Sequence, residues 1–162
     1  MKKAIIMLII STQTAISNAC ISEDQAIQAF NRFTFAVFSQ SDIELRVQNV
    51  DIQPSTSGNA HCLISADLTI YLKSDFNAIV QNVASNLAEM FKGKDIPSPR
   101  NLDKVEATRT IFSTLAERFV TSSFGGNVNR SSVINRHGEI PIFKDEESDS
   151  LHMLLLSKEI PL

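Results

Sequence analysis

The stretch AHCLISADLTIYLK, residues 60–73, alternates between two faces more cleanly than any other part of the chain. Cys62, Ile64, Ala66, Leu68, Ile70 and Leu72 fall on one side, and Ser65, Asp67, Thr69 and Lys73 on the other. Successive side chains of a strand point to opposite faces, so the pattern predicts a strand with one face buried. Upstream, Ile43, Leu45 and Val47 alternate with Glu44 and Arg46; the phase slips at Gln48 and Asn49 and resumes at Val50 and Ile52. An extra residue shifts the period in this way, which predicts a β-bulge inside one strand. Residues 53–60, with Pro54, Ser55, Ser57, Gly58 and Asn59, read as a turn-rich loop. A parallel crossover needs about a dozen residues or more, so these two strands are expected to form an antiparallel hairpin.

Helical periods flank the hairpin. Over residues 22–38, Ile27, Phe30, Phe33, Thr34, Val37 and Phe38 recur at spacings of three and four, opposite Asp24, Asn31 and Arg32. Ser22 with Gln25 has the form of a capping box. A helix lying on the sheet with its phenylalanines inward is expected. After the hairpin, Ser74 is placed to cap a second helix, in which Phe76, Ile79, Val80, Val83, Ala84, Leu87, Met90 and Phe91 form a stripe that Gly93 ends. Pro97 and Pro99 mark a connector, and Asp103 with Glu106 reads as a capping box for a third helix through Val105, Phe112, Leu115, Ala116, Phe119 and Val120. The two helices are expected to pack as an antiparallel pair.

Beyond Thr121 the patterns shorten. Gly125-Gly126-Asn127 marks a turn, residues 132–135 and 139–143 read as short strands around a turn at Arg136-His137-Gly138, and residues 151–157 as a last strand. The expected fold is α+β: an N-terminal helix, a long antiparallel β-hairpin, two amphipathic helices and short C-terminal strands, with one layer of helices on an antiparallel sheet. A helix followed by a long hairpin resembles the opening of cystatin-like and nuclear-transport-factor-like folds. The resemblance covers the first third of the chain, is topological, and implies a binding module.

At 162 residues the chain has room for one domain. Lys2 and Lys3, the apolar residues 4–10 and the small residues Ser17-Asn18-Ala19 have the order of a secretory signal peptide. The expected organisation is a leader at residues 1–19 and one mature domain at residues 20–162, in the periplasm or secreted. Seven apolar residues fall short of the roughly 20 that cross a bilayer, so a membrane span is not expected. Loss of the leader takes two lysines and no acid, lowering the formal charge from −3 to −5. Such a surface repels phosphate backbones, which argues against nucleic acid as a partner. Ten Phe against one Tyr and no Trp suit packing better than stacking on sugars or bases.

Cys20 and Cys62 are the only cysteines. An even count in an oxidising compartment predicts a disulfide between them. The alternatives are two free thiols and a lipid anchor on Cys20. A cysteine directly after a signal peptide resembles the acylation site of bacterial lipoproteins, and Ala19 suits that site, although Ser17 stands where such signals usually carry Leu.

Sites of chemistry are harder to find. The serine-hydrolase signatures G-x-S-x-G and S-x-x-K are absent from the sequence. His61, His137 and His152 are isolated, without the paired spacing of metal ligands. His137 with Glu139, on an expected turn beside Gly138, is the best placed for acid–base work, though a bystander role accounts for it equally simply. Ser122 and Ser123 before Gly125 read as a loop after a helix. Asp145, Glu146, Glu147 and Asp149 lack the glycine and terminal glutamate of a calcium loop. The sequence therefore supports no catalytic residue, cofactor or metal. By elimination it points to an exported protein-binding domain, such as an inhibitor, a toxin-immunity protein or an envelope accessory subunit. A small envelope hydrolase and a lipoprotein held through Cys20 are the alternatives.

Overall fold

The computed structural model describes residues 20–55, 59–94, 104–126, 128–156 and 158–162. The leader, the connector with Pro97 and Pro99, and the cap at Asp103 lie outside the described residues. Helix α1, Glu23–Phe35, starts at the capping box: Ser22 accepts from the Gln25 amide at 3.2 Å, and the Ser22 amide donates back to Gln25 Oε1 at 2.9 Å. It ends three residues before the expected Phe38. Val37 and Phe38 sit in the following turn, yet both are buried.

Strands β1, Ile43–Pro54, and β2, Cys62–Leu72, form the antiparallel hairpin. The register shifts between Gln48 and Asp51, where Asn49 takes a positive φ of 51°, so the bulge lies where the phase slip placed it. Helix α2, Phe76–Met90, is preceded by Asp75 rather than Ser74, and Asp75 caps without a side-chain bond to the helix. Its carboxylate instead accepts from the Arg130 amide at 3.1 Å, tying the start of α2 to the approach to the third strand. Helix α3, Lys104–Phe124, packs on α2, with Phe91 stacked on Phe112 at 6.2 Å between ring centroids.

Strand β3, Val133–Lys144, departs furthest from the sequence reading. The two short strands and their turn are one twelve-residue strand, paired to β2 without interruption from Tyr71↔Val133 to Cys62↔Ile142. Gly138 therefore marks no turn. It pairs with Ala66 on the helix side of the sheet, where a Cβ would stand 2.6 Å from Leu68 Cδ1 and 3.2 Å from Phe30 Cε1. Lack of a side chain there, not backbone freedom, is what the position demands. The expected last strand is a hairpin of β4, Leu151–Leu155, and β5, Lys158–Pro161.

All five strands form one antiparallel sheet in the order β1-β2-β3-β4-β5, with helices on one face. Cys62, Ile64, Ala66, Ile70 and Leu72 are buried on that face, with Ile140, Ile142, Met153 and Leu155 from later strands. The core has two parts. Ala26, Ala29 and Phe30 of α1 cover Cys62, Ile64, Ala66, Ile140, Ile142 and Met153. At the other end Ile79, Val83 and Leu87 of α2 and Phe112, Ala116, Val120 and Phe124 of α3 gather with Ile43, Ile70 and Leu72. Polar clamps hold the second part: buried Asp42 accepts from Asn82 at 2.8 Å, and Asn86 donates to the Val37 carbonyl at 2.8 Å.

Candidate functional site

Because helices cover one face of the sheet, every second residue of β1, β2 and β3 stands on the open face. His137 and Glu139 are there, in the middle of β3, their side chains about 60% exposed. Register sets Asp67 of β2 opposite His137. Its Oδ1 lies 3.2 Å from His137 Nδ1, and its Oδ2 accepts from Asn49 at 2.8 Å. Asn49 reaches it because the bulge in β1 turns that residue out of the ladder. The amide of Asn49, followed by the hydrogen bond from His137, holds the Asp67 carboxyl below its ordinary pKa of 3.8. On the other side of the ring, Glu139 Oε1 is 4.0 Å from Nε2. His137 thus bridges two carboxylates on adjacent strands.

The same face continues along the hairpin. The Arg46 guanidinium lies 4.6 Å from the centre of the Tyr71 ring and pairs with Glu44 at 3.2 Å. Thr69 donates to Asn135 at 3.0 Å. These are contacts between neighbouring strands or along one strand, so they hold charged and aromatic groups in fixed positions on a wet surface. Among the described residues, both nitrogens of His137 face carboxylates rather than a hydroxyl or thiol.

The remaining sequence candidates are dispersed. Cys20 and Cys62 are joined in a disulfide with Cα atoms 6.2 Å apart. The bond leaves no free cysteine among the described residues. A lipid thioether would need the same Cys20 sulfur. His61 is exposed, and His152 stacks on Phe143 at 5.8 Å. Ser122 and Ser123 belong to the last turn of α3 and not to a loop; the helix stops at Gly125, which takes a φ of 90°. The acidic run is the β3–β4 turn. There Asp145 accepts from the Glu147 amide at 2.8 Å, which holds its carboxyl below the ordinary range, and Lys144 pairs with Asp149 at 2.6 Å. No cluster of three or more metal-ligating side chains occurs among the described residues, and no helix there is long and apolar enough to cross a membrane.

The chain matches no family model, no curated protein and no solved structure. The likeness to cystatin-like and nuclear-transport-factor-like folds therefore extends no further than the order of helix and hairpin. Sequence reading found His137 and Glu139 but missed their setting of Asp67, Asn49, Arg46 and Tyr71. The bulge at Asn49 was the one visible signal, because it marks where a residue leaves the ladder. The pairing of Asp67 with His137 spans 70 residues and leaves no local trace.

Proposed function

We propose that this chain is an exported, disulfide-stapled domain that binds a protein partner through the open face of its sheet, as an inhibitor, immunity protein or accessory subunit of an envelope assembly does. The observation that carries the reading is the set of side chains fixed on that face: Arg46 over Tyr71, and His137 between Asp67 and Glu139. Interfaces favour Arg and Tyr as anchors, and groups already held in place lose less freedom on binding. The Cys20 to Cys62 bond supports export, since disulfides persist in oxidising compartments. The order of residues 1–19 agrees with it.

Site-specific photocrosslinking in the native envelope tests the reading. A crosslinker at Asn135, on the open face, should trap a discrete partner, while one at exposed Asn77 on α2 should not. Arg46→Glu and Tyr71→Ala should each weaken the capture at Asn135 tenfold or more. Equal trapping from both positions, or capture indifferent to both substitutions, would move the interface off this face.

A further inference from the structure

On the helix side of the sheet, between α1 and the end of α3, lies a groove of about 340 Å³. Its walls are Phe33 of α1 and Phe119 and Ser123 of α3, and its floor is Leu68 of β2 with Gly138 of β3. Phe33, Phe119 and Leu68 are only half-buried, so apolar surface is left uncovered inside the groove. Arg136 also lines it. Register pairs Arg136 with Leu68, on the face where neighbouring positions carry Ile134, Ile140 and Ile142. Among the described residues the Arg136 guanidinium has no hydrogen-bond or ion-pair partner. The other charged residues along the groove, His137 and Glu139, meet each other and Asp67 on the opposite face.

We propose that this groove binds a small single-chain amphiphile with an anionic head. The apolar tail lies among Phe33, Phe119 and Leu68, and the carboxylate or phosphate-monoester head pairs with Arg136. Three features select this chemistry. The volume is at the small end of the range of about 300–1,000 Å³ for ligand sites, which suits one short chain and not a protein segment. The walls are mainly aromatic and aliphatic, with hydroxyls at Thr34 of α1 and at Ser122 and Ser123 near the end of α3. An unpaired guanidinium at the edge of such a lining presents a fork of donors matched to a carboxylate or phosphate. The site is distinct from the open face, so it stands or falls independently of the protein-binding reading.

Calorimetric titration of the exported, disulfide-intact protein tests it, with dodecanoate, monododecyl phosphate and dodecyltrimethylammonium held below their micelle concentrations. At least one of the two anions should bind saturably at one per chain, and the cation at least tenfold more weakly. The tighter of the two anions identifies the head group. Arg136→Gln should weaken the preferred anion tenfold or more, the loss expected when a charge-assisted hydrogen bond is removed, and leave the cation unchanged. Because Arg136 is exposed, this variant should melt like wild type. Ser123→Trp, which fills the groove, should weaken every chain-bearing ligand. Binding indifferent to head charge, anion affinity within twofold of wild type in Arg136→Gln, or no saturable binding of either anion would overturn the proposal.

Discussion

The two ends of the sheet are covered by different means. Where α1 lies on the sheet, from β1 across to β4, the contact is close: Ala26, Ala29, Ala66 and Gly138 are small, and Phe30 fits into the space they leave. One 13-residue helix covers that end, and the disulfide binds its start to the sheet. Where α2 and α3 cover the sheet, 15- and 21-residue helices fill the space with large side chains and need no covalent tie. A short helix buries little area by itself, and isolated helices of about 12–15 residues are marginal in water. The end that buries less is the end that carries the bond. Close approach at one end and bulk at the other are two solutions to the same requirement, that an apolar sheet face leave no voids.

Several measurements would break or sharpen this contrast. Phe30→Ala should have the largest effect, because Phe30 is 2% exposed and is the main bulky residue of α1 at the close-packed end. A loss of about 3–5 kcal/mol is expected in denaturant melts, well above the cost of Phe33→Ala in the half-open groove. Equal costs for the two would mean that α1 is not seated as described.

Loss of the disulfide comes next. Closing a loop with a sequence separation of 42 stabilises by about 3–4 kcal/mol in the chain-entropy model, so Cys62→Ser should visibly lower the melting temperature. The informative reading is regional. In reductant, amide exchange at Ala26 and Ala29 should accelerate before exchange at Val83 and Leu87 does. Uniform acceleration across both ends would show that the bond stabilises the whole domain and not one helix.

Gly138→Ala should cost about 1–3 kcal/mol, because the new Cβ meets Leu68 and Phe30 at distances that force one of them to move. In the background of Leu68→Ala the same substitution should cost less, a coupling that a double-mutant cycle reads directly. Additive costs would place the conflict elsewhere.

The smallest effect concerns the open face. Asp67 titrates below 3.8 mainly through the Asn49 amide, so Asn49→Ala should move its pKa upward, as carbon-detected NMR titration would record. A carboxyl whose folded pKa is depressed stabilises above its unfolded value and loses that contribution as pH falls through the folded value. Asn49→Ala should therefore melt below wild type above about pH 3.8, and the difference should shrink as pH falls below that value. An unmoved Asp67 pKa would show that the bulge does not hold this carboxylate.

The sequence by itself determined the elements whose signals are local. The period-two run of residues 62–72, the phase slip at Asn49, the Ser22 and Gln25 cap and the stripes of the α2 and α3 helices each depend on neighbours within a few residues, and each is where the pattern placed it. With only two cysteines, a disulfide could join none but Cys20 and Cys62, and the structure shows that it forms in preference to free thiols. The tertiary structure decided everything that depends on β3. In isolation Arg136-His137-Gly138 has the composition of a turn, since glycine beside polar residues usually signals one. Its strand conformation comes from the ladder β2 offers across the α2–α3 insertion, and the space for a side chain at its glycine is taken by Leu68 and by Phe30, both distant in sequence. The same register carries His137 to the open face beside Asp67 and turns Arg136 toward the helices, because a strand sends successive residues to opposite faces and only pairing decides which face each one meets.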